Sequence, residues 1–352
     1  MPSPRVFIAS TLLFAIVAVV GVGAVNAWID PFMQYRVPSY QPRFTNGFAR
    51  HIIAGLARNL EYDSVVVGSS YAMNFHNSDF DREFGGRTVS FAMPGMFISE
   101  GRKVLTYAAS LKPLKHIFFG LDFFAFVESN NHYQFPDYLY DARWTNDGPY
   151  LLSLDTLKRS LYIALDRGPK NYNTDQDMPW SWATNGVRFG RDLALADYAK
   201  QRNERGATSI QSPLNEMERV AREQIAPLVA QHPEAEFEFF LPPYSALAWM
   251  LSAEHSDLAT RLQFRIFLAK LVAQYSNARL HDFQALQSLV CDLDHYRDVG
   301  HYGPEDNRKM VSAMRSGKYV VTPETVSANN AVIEEIVNGR CSGTIPTGHS
   351  RR

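Results

Sequence analysis

Ser64-Val65-Val66-Val67-Gly68-Ser69-Ser70, residues 64–70, is the stretch that decides the fold. Its β-branched run shows no polar alternation, so it reads as a short strand buried on both faces, the habit of a parallel sheet. Gly68 ends the run and opens a turn. Outward from there the same rhythm continues. Residues 87–92 form a second candidate strand, followed by Pro94-Gly95; Ile98–Leu111 reads as a helix and 116–124 as a third apolar run. Strand, helix, strand, helix, strand predicts a doubly wound α/β sheet.

The pattern resumes late. Glu236–Leu241 (EFEFFL) is a strand halted by Pro242-Pro243. Residues 258–275 carry Leu262, Phe264, Ile266, Phe267, Leu271 and Val272 at helical spacing. Residues 279–283 are the last core strand, and Pro304–Arg315 is a short closing helix with proline in its first turn. The interval from about 128 to 233 is far longer than ordinary βα connections, so it is expected as a structured insertion. Beside the carboxyl edge of a sheet, such an insertion shapes a cleft. The expected division is therefore an anchor over 1–30, a connector over 31–60 with an amphipathic helix near 48–60, an α/β domain over 61–341, and a disordered tail over 342–352.

The anchor is the run from Val6 to Ile29, which holds no charged side chain. About 20 apolar residues suffice to cross a bilayer core. Arg5 precedes the run, Asp30-Pro31 closes it, and Trp28 stands where an interfacial aromatic belongs. The asymmetry places the N-terminus in the cytoplasm and the domain outside, in the periplasm or extracytoplasmic space. A cleaved signal peptide is the competing reading, with Val25-Asn26-Ala27 offering small residues for cleavage. The run is longer than the usual apolar core of about 7–15 residues in such peptides, which favours a retained single-pass anchor. A formal net charge of −1 gives no footing for a nucleic-acid partner. Cys291 and Cys341 have no zinc-finger or CxxC spacing. They stand either as one disulfide in an oxidising compartment or as two unpaired thiols.

Two short motifs carry chemistry. Gly68-Ser69-Ser70 places a serine at the carboxyl edge of the sheet, near the backbone N–H groups that open a helical turn. Alone it is an ordinary turn sequence. Asp298-Val299-Gly300-His301 lies beyond the last strand. An aspartate three residues before a histidine can fold back on the imidazole and orient it as a general base for a serine. Alone, this too is an ordinary loop. The pair in this order, at one edge of a parallel sheet, is more specific.

In that combination the sequence resembles the SGNH (GDSL-like) hydrolases, in their membrane-anchored exported branch that includes alginate O-acetylation proteins and the D-alanyl transfer protein of teichoic acids. The resemblance covers roughly 62–126 and 236–316 and leaves the insertion unmatched. It implies a flavodoxin-like (SGNH-type) sheet with helices on both faces. It also implies Ser70, not Ser69, as nucleophile, His301 as base and Asp298 as its partner. The oxyanion would rest on the backbone of Ser70 and on Gly95, with Asp122 where the family's third block usually carries a donating asparagine. An ionised Asp122 cannot donate and would repel an oxyanion. The implied activity is serine O-acyltransfer to, or ester hydrolysis on, an envelope or secreted polysaccharide. A multi-pass membrane O-acyltransferase is the implied partner.

A non-catalytic scaffold or polysaccharide-binding protein of the same fold is the alternative, and Asp122 is what favours it. A lipid esterase at the membrane surface is a third option, against which the polar and aromatic insertion speaks. Trp144, Trp180, Trp182, Tyr138 and Tyr140 lie in that insertion and fit sugar stacking or plain packing. His116 reads as structural, and His132 has no evident partner. Neither metal-ligand spacing nor a phosphate loop is present, so no cofactor or metal is expected.

Overall fold

The computed structural model describes residues 3–127, 135–168, 172–184, 186–203 and 213–341. His132 and the tail expected from Ser342 lie outside them. The chain forms two compact units, Met1–Leu60 with Gln134–Thr174 and Glu61–Tyr133 with Asp175–Arg352. The interval 128–233 is thus divided between both.

The second unit holds the sheet. Strands β1 (Ser64–Val67), β2 (Thr88–Ser90), β3 (His116–Gly120), β4 (Glu236–Leu241) and β5 (Ala278–Asp282) run parallel in the order β2-β1-β3-β4-β5. This is the flavodoxin-like α/β order. Val65, Val66 and Val67 are wholly buried, which is why β1 shows no alternation. From β1 the chain steps one way to β2, then returns past β1 to β3. With right-handed crossovers, that reversal puts Asn77–Phe84 on one face and Ile98–Leu111, Leu214–Gln231 and Leu258–Val272 on the other. The packing agrees: Leu214–Gln231 lies between Ile98–Leu111 and Leu258–Val272, while Asn77–Phe84 meets Pro304–Arg315.

Element ends differ from expectation for local reasons. The third strand, expected over 116–124, stops at Gly120. The Asp122 side chain accepts the Ala125 N–H at 3.1 Å and turns the chain into the 3-10 segment Phe123–Phe126. The long helix ends at Val272 rather than at 275, and the second strand is trimmed to Thr88–Ser90. Pro304–Arg315 does not close the fold. A further helix, Val326–Glu335, docks through Asn330, which accepts from buried Arg265 at 2.7 Å and donates to the Leu262 carbonyl at 3.0 Å. Cys291 and Cys341 are joined as a disulfide, with Cα atoms 5.5 Å apart.

The first unit contains the helix Pro4–Ile29, whose best window has a mean hydropathy of 2.6 and is not buried at all. It is long and apolar enough to cross a membrane. Its last turn is built into the unit. Asn26 is fully buried; its amide donates to the carbonyls of Leu151 and Ser153 at 2.8 and 3.2 Å and accepts the Ser160 hydroxyl at 3.0 Å. Asp30 takes the Tyr150 hydroxyl at 2.7 Å and the N–H groups of Gln34 and Tyr35 at 2.8 Å each.

Candidate active site

In an open sheet of this order, the crevice beyond the carboxyl ends of β1 and β3 is where the strand order reverses, and ligands bind there. Gly68-Ser69-Ser70 leaves β1 at that point and Gly120-Leu121-Asp122 leaves β3. Gly68 has φ +151°, and a Cβ there would stand 2.8 Å from the Ala72 Cβ, so only glycine makes this exit. The two serines then diverge. Ser69 is buried, and its hydroxyl engages the Asp122 carboxyl. Ser70 is half-buried, with Oγ 2.9 Å from Nε2 of His301.

His301 comes from the tip of a small hairpin. Tyr296 pairs with Tyr302, and the N–H of Arg297 donates to the His301 carbonyl at 3.0 Å. Within the tip, Asp298 Oδ1 accepts the N–H groups of Gly300 and His301 at 2.9 and 2.8 Å. The same carboxylate lies 2.9 Å (Oδ2) and 3.0 Å (Oδ1) from His301 Nδ1. Burial pulls the Asp298 carboxyl up. The His301 ring, its charge and the two backbone N–H groups outweigh burial and hold it below the usual carboxylate range. Gly300 is needed for room, since a Cβ there would come 2.4 Å from the Tyr71 hydroxyl oxygen. The hairpin is fixed from outside by Ser245, whose hydroxyl donates to the Val299 carbonyl at 2.5 Å. Asp197 accepts the Val299 N–H at 3.1 Å.

Two aromatic rings hold the imidazole. Tyr71 stacks on it with centroids 4.8 Å apart and planes 16° from parallel, and Trp182 meets it edge-on at 5.2 Å. Trp182 Nε1 donates to the Ser70 carbonyl at 2.8 Å, and Arg297 lies over its outer ring at 5.0 Å. The loop that brings Trp182 is pinned by buried Asn74. Its Oδ1 accepts the Ser181 hydroxyl at 2.9 Å and the N–H groups of Trp182 and Ala183 at 3.1 and 3.3 Å. Neither Tyr71 nor Asn74 stands out in the sequence. Asn74 has no local signature, because its partners lie 107 to 109 residues away.

Asp122 takes a task different from donation. It is 3% exposed and accepts from Ser69, Ala125 and Phe124. Burial pushes its carboxyl up to about 6, against the pull of those hydrogen bonds and of nearby His301. Gly95 follows β2 in a turn with φ +55°. The pairing of Met93 N–H with the Gly68 carbonyl at 3.0 Å ties that turn's approach to the exit from β1.

The insertion aromatics do not form one group. Trp180 is a core residue, fully buried with Nε1 donating to the Ser90 carbonyl at 2.8 Å. Trp144, Tyr138 and Tyr140 belong to the other unit. His116 opens β3 beside Glu236 at 3.4 Å. Among the described residues, His295, Glu305 and Asp306 bring ligand atoms within 4.8 Å of one another. Asp306 is already taken by His295 at 2.6 Å and Lys309 at 3.0 Å.

No protein-family model and no curated protein matches the chain. A solved structure from Streptococcus pneumonia, provisionally described as a platelet activating factor, is similar at 12% identity and a TM-score of 0.40. The match covers 77% of this chain and 91% of that one. A likeness of this size says nothing of what the chain binds or acts on.

Proposed function

We propose that this chain is a membrane-anchored, extracytoplasmic serine acyltransferase or esterase of the SGNH type. It acts on an envelope or secreted polysaccharide and is fed by a multi-pass membrane O-acyltransferase. The observation that carries the chemistry is the relay of Ser70, His301 and Asp298, with 2.9 Å from Oγ to Nε2 and 2.9 Å from Nδ1 to the carboxylate. Ser70 Oγ attacks the donor's acyl carbon and its proton passes to His301 Nε2. The imidazolium, held by Asp298, returns that proton to the leaving oxygen as the carbon–oxygen bond breaks. Acyl-Ser70 remains. A sugar hydroxyl or water then gives its proton to His301 and takes the acyl group, regenerating Ser70. The developing oxyanion falls to the N–H groups of Ser70 and Gly95. Asp122 acts as acceptor, holding Ser69 and the turn after β3.

Retention of the anchor is supported by Asn26. Cleavage near Ala27 would strip Ser160 and the Leu151 and Ser153 carbonyls of the Asn26 amide they surround. The polysaccharide and the acyl-delivering partner rest on the resemblance alone. One observation favours a binding-only scaffold of the same fold, namely the Asp122 carboxyl standing where the family carries a donor.

Labelling the full chain with a fluorophosphonate decides between them. Wild type and Ser69→Ala are expected to label, and Ser70→Ala is not. Labelling that survives Ser70→Ala, or an unreactive wild type, overturns the catalytic reading.

A further inference from the structure

The helix Leu154–Ala164 in the first unit is inside out. Its buried positions are Thr156 and Ser160, which face inward with Ser160 bonded to Asn26. Its outward positions include Leu154, 73% exposed, and Leu161, 44% exposed. Leu165, just past the end, is 61% exposed, and Leu152, just before the start, is 50% exposed. Residues 154, 158, 161 and 165 follow one helical stripe, and Lys158 sits among the leucines. A helix of a water-soluble surface puts its leucines in and its hydroxyls out. A contiguous exposed apolar strip marks a contact surface.

The depth of this strip is set by the apolar helix beside it. A Cβ on Gly23 would stand 3.4 Å from Leu152 Cδ2. Gly23 lies six residues before Ile29, about 9 Å back along the helix axis at 1.5 Å per residue. Leu152 is therefore level with the apolar run, while Trp28, 79% exposed, marks its end.

Next to the strip is a cavity of about 320 Å³ whose walls include Arg43, Lys158, Arg159, Arg167 and a single carboxylate, Asp155. Arg43 is paired with exposed Asp166. Four cations against two carboxylates leave two positive charges. Arg159 lies over Phe48 at 4.3 Å and Phe32 at 5.2 Å, and its buried Nε has no partner. Lys158 and Arg167 pair with no carboxylate among the described residues. The Thr45 hydroxyl in the same wall is buried and also without a partner. The walls thus hold two unpartnered donors, Arg159 Nε and the Thr45 hydroxyl, and two positive charges without a carboxylate.

We infer that residues 148–165 form an interfacial membrane-binding segment: its leucines enter the lipid, and the Arg43–Lys158–Arg159–Arg167 cavity takes the phosphate of an anionic phospholipid headgroup. This rests on the retained anchor, and it adds a second, lipid-specific attachment to it. Cationic side chains beside an apolar strip at a membrane surface are suited to such a headgroup.

The test uses the full chain reconstituted in phosphatidylcholine vesicles with and without phosphatidylglycerol. Its native cysteines are disulfide-bonded and leave an introduced thiol as the spin-label site. Labels at Leu161→Cys and at Phe14→Cys are compared for collision with oxygen and with an aqueous nickel chelate. Both are expected to favour oxygen. A bilayer-buried label at residue 14 with an aqueous label at residue 161 overturns the inference and leaves the anchor standing. An aqueous label at residue 14 overturns both. For the cavity, native mass spectrometry counts phosphatidylglycerol retained by wild type and by Lys158→Gln/Arg167→Gln. The expected loss is roughly 30-fold, from two charges at about 1 kcal/mol each. Unchanged retention, or displacement of the lipid by millimolar inorganic phosphate, overturns the headgroup assignment.

Discussion

Replacing Asp122 by asparagine removes one buried charge and turns one of its two accepting oxygens into a donor. The carboxyl titrates near 3.8 when free and is pushed up to about 6 in the fold, with burial the largest cause. Hydrogen bonds from Ser69, Ala125 and Phe124 and the charge of His301 pull it back only in part. Because the folded-state value is raised, the folded chain keeps this proton between about pH 4 and 6 while the unfolded chain has lost it. The contribution to stability is fully present below about pH 4 and lost as pH rises through 6. A shift of about two units at 1.36 kcal/mol per unit is on the order of 3 kcal/mol. Asparagine does not ionise, and its oxygen can still accept from Ala125 and Ser69. The stability of Asp122→Asn relative to wild type is therefore expected to rise by that amount between pH 4 and 7.5. Other titrating groups cancel in the comparison. Urea unfolding of the full chain in detergent, followed by tryptophan fluorescence at both pH values, measures it. A difference between the two proteins that is flat with pH refutes the reasoning. Activity gives a second reading: if the chain is the enzyme proposed, the variant is expected at pH 7.5 to keep or raise kcat, because the amide restores the donor that the resembled family carries. A hundredfold fall would mean that the carboxylate helps.

Asp298→Asn is expected to keep the hairpin tip, because an amide oxygen still accepts the Gly300 and His301 N–H groups, and to lower kcat roughly 10⁴-fold through the wrong imidazole tautomer. Wild-type turnover in that variant, by any acyl-transfer assay, would remove Asp298 from the relay. Reduction of the bond between Cys291 and Cys341, which are 50 residues apart, is expected to cost about 4 kcal/mol in the chain-entropy model. Two reactive thiols in the unreduced, denatured chain would show the bond to be absent.

Much of the architecture was legible because it rests on local pattern. The uninterrupted valines of β1 announced a strand buried on both faces, and Gly68 and Pro94-Gly95 marked where strands let go. Strand ends were less legible, since a side chain such as Asp122 can recruit the backbone three residues on and stop a strand that its apolar residues would have continued. Ser70, Asp298 and His301 were readable as a set because the chemistry of each calls for the next. What surrounds them was not. Asn74 and Trp182 act through bonds that span more than a hundred residues, and no spacing rule reaches that far. The surface of Leu154–Ala164 was hidden for another reason. Its leucines look like core positions on paper, and only the burial of Ser160 against Asn26 turns them outward.

Asn26 also sets a clock. Its partners at Leu151, Ser153 and Ser160 lie 125, 127 and 134 residues downstream. If the helix is retained as proposed, its amide enters the bilayer long before any of them has been made. At about 5–20 residues per second, synthesis takes roughly 7 to 27 seconds to supply all of them. Through that interval the helix must hold an orphan amide in lipid by the apolarity of its other residues. A run somewhat longer than the roughly 20 residues a bilayer requires gives it that margin. A late arrival of the 148–165 segment would leave the chain inserted but unsealed, and exposed there to other helices seeking a polar contact.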